Sequence, residues 1–562
     1  MSLNTKASPF KLNSAWKVFT IIFLVNLLQA ILSPLLNDEP YYWLYAQYPS
    51  WGYFDHPPMI AFLIRLGTFL LPGEIGVRLF GLILGSLTFF LIYQIIESET
   101  VKSVNYKLLG LLLFSSLFLN LYSFLAIPDT PLLFFAALFL YTYRRYLQND
   151  GLLNAFILGV VAALLLYSKY HGILLIGFTV LSNIKLLRRP SFYVVFILTV
   201  LLFSPHIYWQ IQHDYPTIRF QLLERTNNFN IGNVFSYIGE QAGVTGPVIL
   251  LLFSILYKPK NQFQKTLKYN VVGIFVFFLV SSFKEMVNVH WTGIAWPSML
   301  CLAYLFIDDL KRGRRYITWL LVFNLLIVLV FRLDFIINFF QVSNFNDKNP
   351  LVMARELNQR SGGHPLVFKD AYNEPSYIMF YTHQHSFAVN NIWYKKTQFN
   401  YLPALENEFQ SKTVSLVSND PINNTSQKIH IKKGKKYFIT TVTNFSSFST
   451  GVKINAQGFK SLNSLAESEV TISIESDLDA AAISLFKQKG GYLVLALTNK
   501  KNNHGFAFSY NGKLNLSNKD PFQFTFKAPA EKGDYTAVFS LVTKVDNFLV
   551  GFNSNTYNVE VR

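Results

Sequence analysis

Long apolar runs separated by short basic connections fill the first 340 residues, and an alternation of period two replaces them near the C-terminus. A helix that crosses a bilayer needs roughly 20 predominantly apolar residues. On that measure about eleven candidate spans stand out: 16–36, 75–96, 108–126, 128–147, 152–168, 171–187, 191–209, 236–257, 269–283, 291–307 and 316–340. The run 58–72 is apolar but short, holds Arg65 and ends at Pro72-Gly73, so it reads as an interfacial or re-entrant helix. Residues 341–434 are polar and mixed, with a helix expected near 349–360. From 435 to 562 short alternating stretches such as Val470–Ile474, Tyr492–Leu497 and Phe522–Phe526 lie between Gly and Asn/Asp turns, the signature of a β-sandwich. The expected fold is therefore a mostly α polytopic membrane protein over 1–340, followed by an α/β region and a β-rich, sandwich-like domain.

Composition agrees. Only 14% of the residues are charged while 51% are hydrophobic, against about a quarter charged in soluble domains. The net charge of +17 could point to nucleic acid, but the basic residues are sided. With the N-terminus in the cytoplasm, the inner connections hold Lys102 and Lys107, Arg144 and Arg145, Lys185, Arg188 and Arg189, then the lysines of 258–268 and the basic run 311–315. The outer ones hold fewer: Arg65, Arg78, Lys169, Arg219, Arg225 and Lys284. This positive-inside pattern assigns the charge to membrane orientation, not nucleic acid, and delivers the C-terminal portion to the outer face. The N-terminal lysines precede an apolar stretch without a small-residue cleavage site before Asp38, so the first span is expected to remain as an anchor. Cys301 is the single cysteine, so no internal disulfide forms.

The same orientation gathers the unusual polar residues at one face. The first outer loop, 37–74, holds Asp38-Glu39-Pro40 and Asp55-His56-Pro57-Pro58. Asp129 begins the second, Lys169-Tyr170-His171 make the third, His206, His213 and Arg219 lie at the end of the seventh span, and Lys284 and His290 precede the tenth. Ionisable groups near a bilayer are costly and tend to be paired and turned toward a bundle interior. Asp38 can accept a proton from an acceptor hydroxyl, although Asp before Glu-Pro is also a good helix N-cap. Asp55 and His56 can hold a divalent metal or a phosphate, or only form a rigid turn. Lys169 can clamp a phosphate as a point charge or snorkel to the headgroups. Arg219, Lys284 and His290 form a cationic surround for anionic lipid. His206 and His213 read as members of an aromatic belt, and Asp129 as a cap of the fourth span. No Walker loop, dinucleotide fingerprint, HExxH or CxxC occurs, and the inner loops are too short for a nucleotide-binding fold. A donor carried by a lipid is the consistent choice at the outer face.

The pattern Asp38-Glu39-Pro40-Tyr41-Tyr42-Trp43 with Gly52-Tyr53-Phe54-Asp55-His56-Pro57-Pro58 resembles bacterial integral-membrane glycosyltransferases of the GT-C class, in the family-39-like branch. That branch is related to protein O-mannosyltransferases and to 4-amino-4-deoxy-L-arabinose lipid A transferases. Pro128–Leu132, Ser168-Lys169-Tyr170, Ser204-Pro205 through His213-Asp214, and His290-Trp291 support it in combination, covering roughly 16–340. The resemblance implies transfer of a sugar from a polyprenyl-phosphate carrier in a bacterial inner membrane to a glycolipid, polysaccharide or protein acceptor, with inversion. It makes Asp38 the catalytic acid of the first loop, with Glu39 beside it as the second member of the catalytic acidic pair, and places the donor phosphate near Lys169. Asp55-His56-Pro57 stands where the lipid A transferases carry Glu-Lys-Pro, which removes a phosphate-binding lysine. His171, His290 and Asp129 are expected in support, with a divalent metal as a further reading at Asp55 and His56. The alternative expectation is a lipid or polysaccharide transporter or assembly protein of the envelope.

Overall fold

The computed structural model describes residues 9–36, 38–100, 103–220, 229–244, 249–337, 350–431, 436–516, 519–545 and 548–562. The chain divides into two compact units, Met1–Tyr215 with Phe229–Asn346, and Pro216–Asn228 with Asp347–Arg562.

The first unit is helical, and each expected apolar run carries helix. Among the described residues four helices are long and apolar enough to cross a membrane: Gly73–Glu99, Pro190–Gln212, Gln262–Ser281 and Arg314–Ile337. Others are shorter or interrupted. The run 108–126 breaks at Ser116 into Tyr106–Ser115 and Leu117–Tyr122. The run 291–307 begins as a 3-10 turn, Val289–Ala295, before Trp296–Asp309. Apolar faces remain exposed where lipid belongs: Phe196, Ile197 and Leu201 on Pro190–Gln212, and Phe323, Leu326 and Leu333 on Arg314–Ile337. Such faces would be costly in water but are at home in hydrocarbon. The run 58–72 forms the amphipathic helix Met59–Leu70, with Met59, Ile60, Leu63 and Ile64 buried and Phe62, Phe69 and Leu70 exposed. It lies close on Gly73–Glu99, where a Cβ on Gly67 would fall 2.2 Å from the Gly76 carbonyl oxygen.

The break at Ser116 exposes carbonyls that a continuous helix would satisfy, and in an apolar setting each such group is expensive. Asn120 Nδ2 donates to the carbonyls of Leu113, Phe114 and Ser116. Arg332 Nη2 then donates to the Asn120 carbonyl at 2.9 Å and to Asn26 Oδ1 at 2.8 Å. Asn26 Nδ2 donates to Ser123 Oγ, and Gln29 Nε2 to the Arg332 carbonyl. A polar knot thus joins the first helix, the broken one and Arg314–Ile337.

The second unit contains a mixed five-stranded sheet. Its strands Ser386–Val389, Leu366–Lys369 and Val414–Ser418 are parallel, and Lys436–Val442 and Gln427–His430 are added antiparallel. Helices Pro350–Arg360 and Asn373–Thr382 accompany it. The strand Lys436–Val442 begins beyond residue 434 yet hydrogen-bonds into this sheet. The following residues form a six-stranded and a three-stranded sheet. Ile472 and Phe524 from the smaller sheet and Leu495 and Phe539 from the larger share one buried core, as in a sandwich.

Candidate functional site

The first loop is built on a short helix, Glu39–Gln47, with Pro40 in its first turn. Asp38 occupies the N-cap position but its side chain makes no capping hydrogen bond, and the residue stays partly exposed. The helix is anchored by its neighbour. Glu39 is completely buried and forms an ion pair with Arg78, which has no exposed surface either. Arg78 Nε donates to Glu39 Oε1 at 2.8 Å and Nη2 to Oε2 at 2.5 Å. The backbone N–H groups of Ala126 and Leu36 donate to the same two oxygens, and Arg78 also donates to the carbonyls of Ala30, Ser33 and Pro34. Every oxygen of Glu39 is therefore committed to holding structure. The residue expected beside Asp38 in the catalytic pair is thus fully engaged by Arg78 and two backbone N–H groups. Arg78, expected as an outer surface cation, is the buried half of that lock.

The rest of the loop is pinned through aromatic side chains. Tyr45 donates a short hydrogen bond to Asp55 Oδ1. Burial, and then the Asp55 charge, holds the Tyr45 hydroxyl well above the ordinary phenol range, so it remains a donor. Tyr53 stacks on Tyr45 with ring centroids 4.2 Å apart and donates to the Tyr45 carbonyl at 2.9 Å. Burial pushes its own hydroxyl up to about 12. His56 packs edge-on against Tyr42 at 5.6 Å.

Residues from other connections meet this loop. Lys169 Nζ donates to both oxygens of Asp129, at 2.8 and 2.9 Å, and both side chains are nearly buried. The leading charges acting on Asp129 are those of Lys169, His290 and His171. His171 in turn feels Lys169, Asp129, His290 and His56. The Tyr122 hydroxyl lies within electrostatic reach of Asp129 and Asp38. Four connections that the sequence separates by up to 250 residues thus converge around Asp129. The Nδ1 atom of His171 is buried with no hydrogen-bond partner among the described residues.

Lys284 is exposed beyond the helix Gln262–Ser281 and is not among the leading charges on Asp129 or His171. Arg219 ends a short helical turn in the second unit. Arg225 lies outside the described residues. Among the described residues no group of three or more His, Cys, Asp and Glu could hold a metal ion, and Asp55 is engaged by Tyr45 instead.

His206, expected in an interfacial aromatic belt, is buried. Its Nδ1 lies 2.7 Å from the Trp51 carbonyl and so donates to it. In the neutral ring Nε2 then accepts from the Tyr170 hydroxyl at 2.7 Å, and Tyr170 accepts from Gln210 Nε2 at 2.8 Å. This chain ties the helix Pro190–Gln212 to the first loop on one side and to the neighbour of Lys169 on the other. His213, by contrast, is exposed and stacks on Trp209 at 4.2 Å.

Residues 55–209 match the family described as Dolichyl-phosphate-mannose-protein mannosyltransferase. The chain is 26% identical over 236 residues to lipid A galacturonosyltransferase RgtD of Rhizobium johnstonii, covering 39% of this chain and 48% of that protein; the chain thus spans about half the relative's length. Two crystal structures of ArnT from Cupriavidus metallidurans share the fold. The one bound to undecaprenyl phosphate has a TM-score of 0.55 at 14% identity, and the apo form 0.56 at 13%. Both cover 75% of this chain and 97% of ArnT. The chain is thus similar to these membrane glycosyltransferases over the matched stretch, which opens at Asp55-His56, and it has the fold of ArnT.

Proposed function

We propose that the protein transfers a sugar from a polyprenyl-phosphate carrier to a glycolipid, polysaccharide or protein acceptor at the outer face of a bacterial inner membrane. The observation that carries this reading is Asp38: a carboxylate at the head of a locked helix, not used by the cap, close enough to Tyr122 to share its surroundings with Asp129. The likeness to a lipid A galacturonosyltransferase, and to ArnT in a structure bound to undecaprenyl phosphate, supports a lipid-borne donor. The positive-inside count supports a cytoplasmic N-terminus and an extracytoplasmic second unit.

In the proposed step Asp38 takes the proton of the acceptor hydroxyl as its oxygen attacks the anomeric carbon. The bond from that carbon to the carrier phosphate breaks, and the electron pair leaves with the phosphate. Attack opposite the leaving group inverts the anomeric configuration. Lys169 supplies positive charge for the departing phosphate, the His171 and His290 rings lie beside it, and Asp129 holds that lysine in place until the donor arrives. The work is alignment plus charge stabilisation. Glu39 and Arg78 contribute by fixing where Asp38 stands.

The test is transfer of a labelled polyprenyl-phosphate sugar in membranes carrying wild-type protein or Asp38→Asn. Loss of sugar–phosphate cleavage in the variant is expected. Undiminished transfer would remove Asp38 from its role, and movement of intact glycolipid without cleavage would favour a transporter.

A further inference from the structure

We propose that the second unit carries a saccharide-binding cleft at Trp393, separate from the transfer chemistry. The cleft has a volume of about 450 Å³ and is lined by Trp393, Thr498, Asn503 and Gly505, within the ~300–1,000 Å³ range of small-ligand sites.

Its construction explains why an indole is presented here. Ile392 is buried against Val494, Ala496 and Val542 on the outer face of the large sheet. That anchor delivers the next residue, Trp393, to the hairpin that joins Tyr492–Asn499 to Gly505–Ser509. One side of the indole rests on Gly505, where an added Cβ would come within 2.8 Å of the ring. The Trp393 backbone N–H donates to Asn391 Oδ1, which holds the turn. The residue nonetheless stays 43% exposed. A large apolar ring that is rigidly seated and left open to water loses the stabilisation that burial would bring.

The chemistry of the remaining walls selects the ligand. A pyranose ring has an apolar C–H face that lies flat on an indole, and hydroxyls at its edge that pair with groups both donating and accepting. Asn503 has an amide with two donors and an acceptor, and Thr498 a hydroxyl. Asn503 adopts a left-handed backbone, φ 57°, at the hairpin tip beside Gly505. Asparagine tolerates this conformation better than most residues, so the amide is kept at the rim without glycine's loss of side chain. An aromatic floor with amide and hydroxyl rims is the surface a neutral sugar ring fits. The proposal stands whether or not Asp38 acts as a base.

The test is binding to full-length protein in nanodiscs, by isothermal titration and saturation-transfer NMR, with cellotetraose, chitotetraose and mannotetraose as probes. At least one should bind, and Trp393→Ala should weaken it tenfold or more. Trp393→Phe should restore part of the affinity, and Asn503→Gly, which keeps the left-handed turn, should weaken it several-fold. Trp319→Ala, an exposed indole in the first unit, should leave it unchanged. Absence of binding by the wild type to all three probes, or equal binding by Trp393→Ala, overturns the proposal.

Discussion

Glu39 and Arg78 meet as a bidentate ion pair shut off from water: the guanidinium donates to both carboxylate oxygens at 2.8 and 2.5 Å, and neither side chain has exposed surface. Two adjacent acids in the sequence therefore stand in different surroundings, Glu39 buried and paired and Asp38 partly exposed. Glu39 neutralises a buried arginine that also gathers the carbonyls ending the first helix. Removing one member of a buried pair strands the other's charge and costs roughly 3–5 kcal/mol. Glu39→Gln and Arg78→Leu are thus expected to lower thermal stability in detergent strongly. Asp38→Asn should leave stability nearly unchanged while reducing transfer by about 100-fold or more, the scale of a lost general base. Equal effects of Asp38→Asn and Glu39→Gln on both readouts would erase the distinction.

Lys169 and Asp129 make a second test. The lysine's charge is already satisfied by both oxygens of Asp129, so a donor phosphate must compete with that carboxylate. Asp129→Asn is expected to destabilise by roughly 3 kcal/mol, because the ammonium then lies nearly buried without its counter-ion. Lys169→Gln combined with Asp129→Asn should recover much of the stability, since both charges are gone. Transfer should stay low in the double variant, with a raised KM for the lipid donor. Recovery of activity along with stability would make the pair a purely structural bridge. Thermal unfolding and steady-state transfer on the four proteins of this cycle separate the cases.

What the sequence displays depends on how local the cause is. The apolar runs announce their helices, because a span buries or exposes nearly every residue to hydrocarbon. Asp38 stands out for the same local reason, as a carboxylate directly after an apolar run. Arg78 does not, since its partner lies 39 residues earlier and nothing in a basic residue near a span end tells a surface anchor from a buried lock. His206 misleads in the same way: the groups that bury it come from Trp51 and Tyr170. The break at Ser116 is hidden by uniform apolarity on both sides, and Asn120, Asn324 and Arg332 mark it. In the second unit, alternation shows Lys436–Val442 as a strand, but pairing assigns it to the mixed sheet.

Gly52 sits where the first loop meets the helix Pro190–Gln212. A Cβ there would fall 2.3 Å from the Trp209 ring, which is nearly buried and stacked on His213. The neighbouring Trp51 carbonyl accepts from His206, so moving Gly52 also disturbs that contact. Gly52→Ala is expected to cost about 1–3 kcal/mol, as overpacking does, and to lower kcat by shifting the loop that carries Asp38. Trp209→Leu in the same chain frees the space and should return part of both losses. If Gly52→Ala matches the wild type in stability and rate, the loop is not held at this point.

Asp370 offers a pH-dependent prediction outside the membrane. It follows the central parallel strand Leu366–Lys369 with φ 53°, and its Oδ1 accepts from the Asn391 N–H at 2.7 Å. Burial raises its carboxyl above the usual range, although the Asn391 N–H and Lys369 oppose the shift. Below the unfolded carboxylate value, about 3.9, both states hold the proton and no penalty arises. As pH rises, the unfolded chain ionises first, so stability falls until the folded carboxyl ionises as well, and stays lower above that point. Asp370→Asn retains an acceptor for the Asn391 N–H, suits a left-handed backbone and carries no charge. The variant should match the wild type near pH 3.5 and be modestly more stable at pH 7. Hydrogen exchange of the strands Leu366–Lys369 and Ser386–Val389, compared between the two proteins at each pH, reads the difference locally. A gap that closes as pH rises would reverse the sign and show that the carboxylate, not the acid, is the form this turn favours.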